Sequence, residues 1–213
     1  ANRATQPANY DPNHNAAPAY EKLFSEFIPL PEILREVWES WPADLEPNEY
    51  KALEEWAPLN EPILPVLTQA VQCPYSWFQM QSSTGALSGI HIPHLTELRD
   101  CAWGGVLLAK FRAHRGDVGS AMQLLADVHM MGVHRAEGGT LVEQLTGVAV
   151  CGLVYNALFA VLEHCEIDKD LLEQTLEALV PRMSRINVPR FCEVERLYGL
   201  DSLQRMFTDN GKG

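Results

Sequence analysis

Between Leu145 and Leu162 the chain reads LTGVAVCGLVYNALFAVL, eighteen consecutive residues without a charge. Only Thr146 and Asn156 in that run are clearly polar. A helix that is apolar on every face has to be covered all round, by other helices or by lipid. The run reaches the lower length limit for a membrane span. Its flanks argue the other way: Glu143 stands before it, and Glu163, Glu166, Asp168 and Asp170 follow. Spanning helices usually carry Lys or Arg on one side and aromatic belts at both ends. The expectation is therefore a helical bundle with no span in this chain, in which the segment from Thr140 to Cys165 is the central buried helix. An Asp at Val150 or Leu153 is then expected to abolish folding.

The surrounding segments supply partners for such a helix. His94 to His114 repeats Leu95, Leu98, Ala102, Val106 and Ala109 at three- and four-residue steps, the period of an amphipathic helix. Arg115-Gly116 stops it. Asp117 is placed to cap a second helix, in which Val118, Met122, Leu125 and Val128 keep the spacing. Gly138-Gly139 ends that helix. Thr140 precedes Glu143 by three, the pattern of a capping box. Asp168 opens a further helix, and a last one runs from about Arg190 to Phe207 with Phe191, Val194, Leu197 and Leu203 inward. Nearer the front, Pro31 predicts a helix over EILREVWESW that ends at Pro42. Pro47 opens another, closed by Pro58, and Asn60 caps a third. No segment competes as a strand. The fold class is all-α, built of antiparallel helical hairpins joined by short connections.

Residues 1–15 are polar, with two prolines and four asparagines. They read as a poorly ordered arm or linker before a single all-α domain over 16–213. The chain begins at Ala1 and ends in loop-forming residues, which fits a removed leader or a piece of a longer protein. With 28 acidic against 16 basic residues, its net charge of −12 repels nucleic acid and anionic lipid. Five cysteines are too few for a disulfide scaffold. Cys73 with Cys101, or Cys165 with Cys192, would join neighbouring segment ends, but buried free thiols are the commoner reading.

The stretch from Cys73 to Pro93 is the one long loop, and loops carry function more often than helices. His91 and His94 stand three apart just before a helix, yet neither Cys-x-x-Cys nor His-Glu-x-x-His accompanies them, so no metal site is assigned. Ser82, Ser83 and Ser88 lack a Gly-x-Ser-x-Gly frame and an acidic partner. No phosphate loop or haem motif occurs, and no catalytic residue or cofactor is assigned. Tyr75, Trp77 and Phe78 place three aromatics within four residues. All three cannot turn inward without strain, which makes one of them a candidate binding anchor. The candidate binding residues are thus Tyr75, Trp77, Phe78, His91 and His94.

LLAKFRAHRGDVGSAMQLLADVHMM resembles one tetratricopeptide-type hairpin, without a second copy of the repeat. More widely, Asn15–Tyr20, the helix from Leu95 to Gly116, Gly119–Leu125, Thr140–Gly147 and Glu195–Arg205 resemble a family of all-α proteins from planctomycete-like bacteria. That resemblance covers most residues from 15 to 207. It implies a protein that is exported or membrane-anchored, often longer than this chain, with no assigned chemistry; the expected location is exported or periplasmic. The expected function is a non-catalytic helical module that binds another protein. Two alternatives stay open, a hydrolase or metal-dependent enzyme using the 73–94 loop, and a carrier of an apolar small molecule. Homo-oligomerisation stays open as well.

Overall fold

The computed structural model describes residues 5–7, 9–82, 85–92, 94–183 and 188–208. Its α-helices are α1 Ala17–Glu26, α2 Glu32–Arg35, α3 Pro47–Asn60, α4 Leu64–Ala70, α5 Leu95–His114, α6 Val118–Ala136, α7 Leu141–His164, α8 Lys169–Met183 and α9 Val188–Thr208. Two-residue strands, β1 Gln81–Ser82 and β2 Ile90–His91, pair antiparallel within the long loop. The fold is all-α, and helix-on-helix packing makes its core.

The helix ends follow the local chemistry that the sequence announces. Gly116 takes the left-handed conformation at φ +89°. That turn lets Asp117 N–H reach back to the Arg112 carbonyl at 2.9 Å, which closes α5. The Asp117 carboxylate then accepts from Ser120 N–H and opens α6. At the head of α7, Glu143 N–H donates to the Thr140 hydroxyl, while the Glu143 carboxylate accepts from Thr140 N–H. This is the capping box read from the sequence. Asp168 accepts from Leu171 N–H at the start of α8.

The central position belongs to α6, not to α7. Every residue of α6 from Leu124 to Ala136 is buried, and α5, α7, α4 and α8 all pack on it. Helix α7 buries one face, Gly147, Val150, Cys151, Val154, Ala157, Leu158 and Val161. Its other face is open. The expectation for the 140–165 segment is corrected accordingly. Hydropathy pointed to the wrong helix because α6 carries Asp127, His134 and Arg135 into the core, each against a partner that offsets part of its desolvation. Asp127 accepts from Thr68 at 2.7 Å and Gln123 at 2.9 Å. The His134 ring lies between Tyr20 and the Cys73 carbonyl, and Arg135 pairs with Glu143 at 3.4 Å.

Other boundaries shift for identifiable reasons. Helix α2 is one turn instead of ten residues, because the Trp38 and Ser40 carbonyls bond to the Lys110 ammonium. Pro58 lies inside α3, which runs on to Asn60. The Asn60 side chain does not cap; it accepts from Ile28 N–H and donates to the Ile28 carbonyl. In α9, Val194 is buried but Leu203 is exposed, and the Phe191 side chain lies outside the described residues. The cysteines at 73, 101, 151, 165 and 192 are all free thiols.

Candidate functional site

The long loop divides its candidate residues between two clefts. Tyr75 and Trp77 line the first, a cavity of about 180 Å³ shared with Thr5, Met80, Glu137, Gly139 and Glu143. Neither ring is free. Residues 9–15, expected as a loose arm, lie along this segment and hold it. The Tyr75 hydroxyl donates to the Asp11 carbonyl at 2.7 Å. The Asn15 amide donates to the Trp77 carbonyl and accepts from Trp77 N–H, both at 2.8 Å. Tyr10 meets Trp77 edge-on, with ring centroids 5.1 Å apart. The Trp77 indole donates to the Thr5 hydroxyl.

Phe78, His91 and His94 line the second cleft, about 300 Å³, together with Glu21, Gln79 and Gln81. Phe78 is buried against Phe24, with the Arg135 guanidinium 5.4 Å from its ring centroid. His91 is exposed on β2. His94 sits before α5 in the left-handed region at φ +62°, which is uncommon for a residue other than glycine. Its ring lies 5.5 Å from Phe24 and 5.4 Å from Phe78, and its Nδ1 lies 4.0 Å from the Glu97 carboxylate. Two neutral aromatic neighbours and a distant carboxylate hold this imidazole by packing.

Chemistry in this region is limited by the same geometry. Among the described residues, no group of three or more His, Cys, Asp or Glu side chains converges. The Ser82 hydroxyl donates to the Ala86 carbonyl; Ser83 and the Ser88 side chain lie outside the described residues. Burial pushes the Cys151 thiol up to about 11 and the Cys101 thiol higher, with Asp100 and Glu97 adding to the latter. Both thiols are therefore protonated and poor nucleophiles at neutral pH.

A third surface stands out, and the sequence reading missed it. Leu95, Arg99 and Trp103 of α5 face Leu145, Ala149 and Leu153 of α7 across an open groove of about 480 Å³. The Arg99 guanidinium lies over the Trp103 ring, 4.8 Å from its centroid, and Trp38 stacks behind it. Beyond the groove, the outer face of α7 exposes Leu141, Val142, Leu145, Val148, Phe159 and Leu162 by 37–66%. Among the described residues, α7 is the one helix long and apolar enough to cross a membrane. The signal for this face was present in the seven-residue steps Leu145, Gly152 and Phe159, which stack along one side of a helix. No protein-family model, curated protein or solved structure matches this chain.

Proposed function

We propose that this chain is a non-catalytic helical module that docks another protein on the outer face of α7 and the groove beside it. One observation carries the reading: six large apolar side chains of a single helix are exposed on its outer side, four before Gly152 and two after it. Exposed apolar patches of this kind mark interaction sites in soluble proteins. Burying the exposed parts of six such side chains releases about 1 kcal/mol each, roughly 6 kcal/mol before association entropy opposes it. Trp103 and Phe159 are the aromatic anchors that interfaces favour.

Lipid is a poorer occupant. The inner face of α7 is committed to α6, and Glu143 and Gln144 are buried within its first turn. A bilayer would have to separate that contact or strand those polar groups. Nucleic acid is disfavoured by the net charge of −12.

A photo-crosslinking side chain placed at Val148, with the exposed Glu54 of α3 as control, tests the reading in cells. Protein adducts at Val148 and none at Glu54 are expected. Equal labelling at both positions, or none at either, overturns it.

A further inference from the structure

Resting on that reading of the α7 face, we propose that its occupant is a second copy of this chain, laid antiparallel across α7 with the two-fold axis at Gly152. Gly152 is the open midpoint of the strip; a Cβ added there meets nothing within 4 Å. Leu145 lies seven residues before it and Phe159 seven after. Seven residues are about 10.5 Å of rise and about 20° short of two full turns, so all three positions fall on one line. A two-fold axis through Gly152 sets position 152 − n of one copy against 152 + n of the other. Leu145 then faces Phe159 of the second copy, twice over.

That pairing is complementary in shape. Leu145 forms a rim of the groove walled by Leu95, Arg99 and Trp103. Phe159, 66% exposed, is the most protruding of the apolar side chains on α7. Each copy thus presents a knob on one side of Gly152 and a hole at the same distance on the other, which is what an isologous interface requires. An aromatic anchor entering a pocket beside a tryptophan is the usual centre of such a contact.

Charge selects the same occupant. The outward strip from Leu141 to Leu162 carries no charged residue, because the one acidic residue in that span, Glu143, is buried. A basic partner finds no carboxylate along the strip, and the one cation beside it, Arg99, lies over the Trp103 ring in the groove. A second copy supplies an equally uncharged strip, and antiparallel helices oppose their dipoles favourably.

Area sets the strength of the contact. A strip of 22 residues is about 33 Å long and about 10 Å wide, roughly 330 Å² of footprint. A stable interface needs about 800 Å² from each partner. Helix on helix with the groove added stays below that, so the contact is a weak, concentration-dependent one of the kind that forms at about 100 µM.

Sedimentation over a concentration series and site-directed disulfides test the proposal. The wild type is expected to sediment at twice 23.8 kDa by about 100 µM, and Leu145→Asp and Phe159→Ser should each weaken association at least tenfold with unchanged unfolding curves. Gly152→Cys, in a Cys192→Ser background that removes the exposed native thiol, should oxidise to a covalent dimer, whereas Glu54→Cys in the same background should not. A wild type that stays at 23.8 kDa, or a Gly152→Cys variant that cross-links no better than the control, overturns the second copy as occupant. If a Val148 photo-adduct of another protein mass accompanies a monomeric wild type, the docking face stands and only the partner is wrong. Flotation of the wild type with phosphatidylcholine vesicles in place of self-association overturns both.

Discussion

Gly132 of α6 and Gly147 of α7 touch backbone to backbone: a Cβ built on Gly132 would lie 3.0 Å from the Gly147 carbonyl oxygen and 2.9 Å from the Val150 side chain. A Cβ on Gly147 would in turn strike the Gly132 carbonyl and the Ala136 backbone. Backbone cannot swing aside as a side chain can, so these two glycines set how close the central helix pair comes. Gly147→Ala should cost about 2–3 kcal/mol through overpacking, despite the roughly 1 kcal/mol that Ala gains over Gly in helix propensity. Gly152→Ala, on the open face of the same helix, should show only the gain, at a concentration that keeps the chain monomeric. Urea unfolding of both variants decides it. Equal stabilities would mean that the α6–α7 contact is looser than described.

Lys110 gives a pH dependence with a definite sign. Its ammonium is buried in α5 and donates to the Trp38 carbonyl at 2.6 Å and the Ser40 carbonyl at 2.9 Å. Burial pushes its pKa down to about 8 against the pull of Glu39. The unfolded chain, titrating near 10.5, binds more protons than the folded chain between the two values. The contribution of this group to stability therefore rises with pH across that window, by about 3 kcal/mol at most, and is flat below it. A neutral amine still has two N–H groups for the two carbonyls, so the turn need not open. Cys151 and Cys101 act oppositely at high pH, because their thiols deprotonate first in the unfolded chain. The difference between wild type and Lys110→Met isolates the lysine. It should grow in favour of the wild type from pH 8 to pH 10 in urea midpoints; a constant difference would contradict the lowered pKa.

How far the fold was legible depended on the range of each interaction. The Thr140–Glu143 box, the Asp117 cap and the left-handed Gly116 involve residues at most a few positions apart, and all were readable. The placement of α6 was not. Its charged residues are made tolerable by Thr68, Tyr20, the Cys73 carbonyl and Glu143, partners that hydropathy along α6 does not see. For α7 the error ran the other way, because an apolar side chain left exposed on a helix is spelled like one buried in the core. Tyr75 and Trp77 were singled out as candidate binding residues, but the residues that hold them lie more than sixty positions earlier, at Asp11 and Asn15.

His134 holds α6 to the front of the chain through a defined tautomer. A carbonyl only accepts, so the ring donates from Nε2 to the Cys73 carbonyl at 3.0 Å. Nδ1 then accepts from the Tyr20 hydroxyl at 2.8 Å. Tyr20→Phe keeps the stacking on Phe24 and removes this donor from a buried acceptor. It should cost about 1–2 kcal/mol, and a double-mutant cycle with His134→Leu should show coupling of about 1 kcal/mol. Purely additive losses would mean that the ring contacts, not the hydrogen bond, carry the link.

The arm that covers the first cleft is fastened chiefly by one side chain. Asn15 donates to the Trp77 carbonyl and accepts from the Trp77 and Ala17 amides, so a single residue replaces the pairing a neighbouring strand would give. Asn15→Ala removes all three bonds while leaving the helical core of α5, α6 and α7 untouched. Amide exchange at Trp77 should then accelerate at least tenfold, equivalent to about 1.4 kcal/mol of lost protection, with exchange in α6 unchanged. Asn15→Asp keeps the acceptors but sets a carboxylate against the Trp77 carbonyl, so it should fall between wild type and Asn15→Ala. An unchanged Trp77 rate in both variants would mean that the Tyr10 and Tyr75 contacts hold the arm without Asn15.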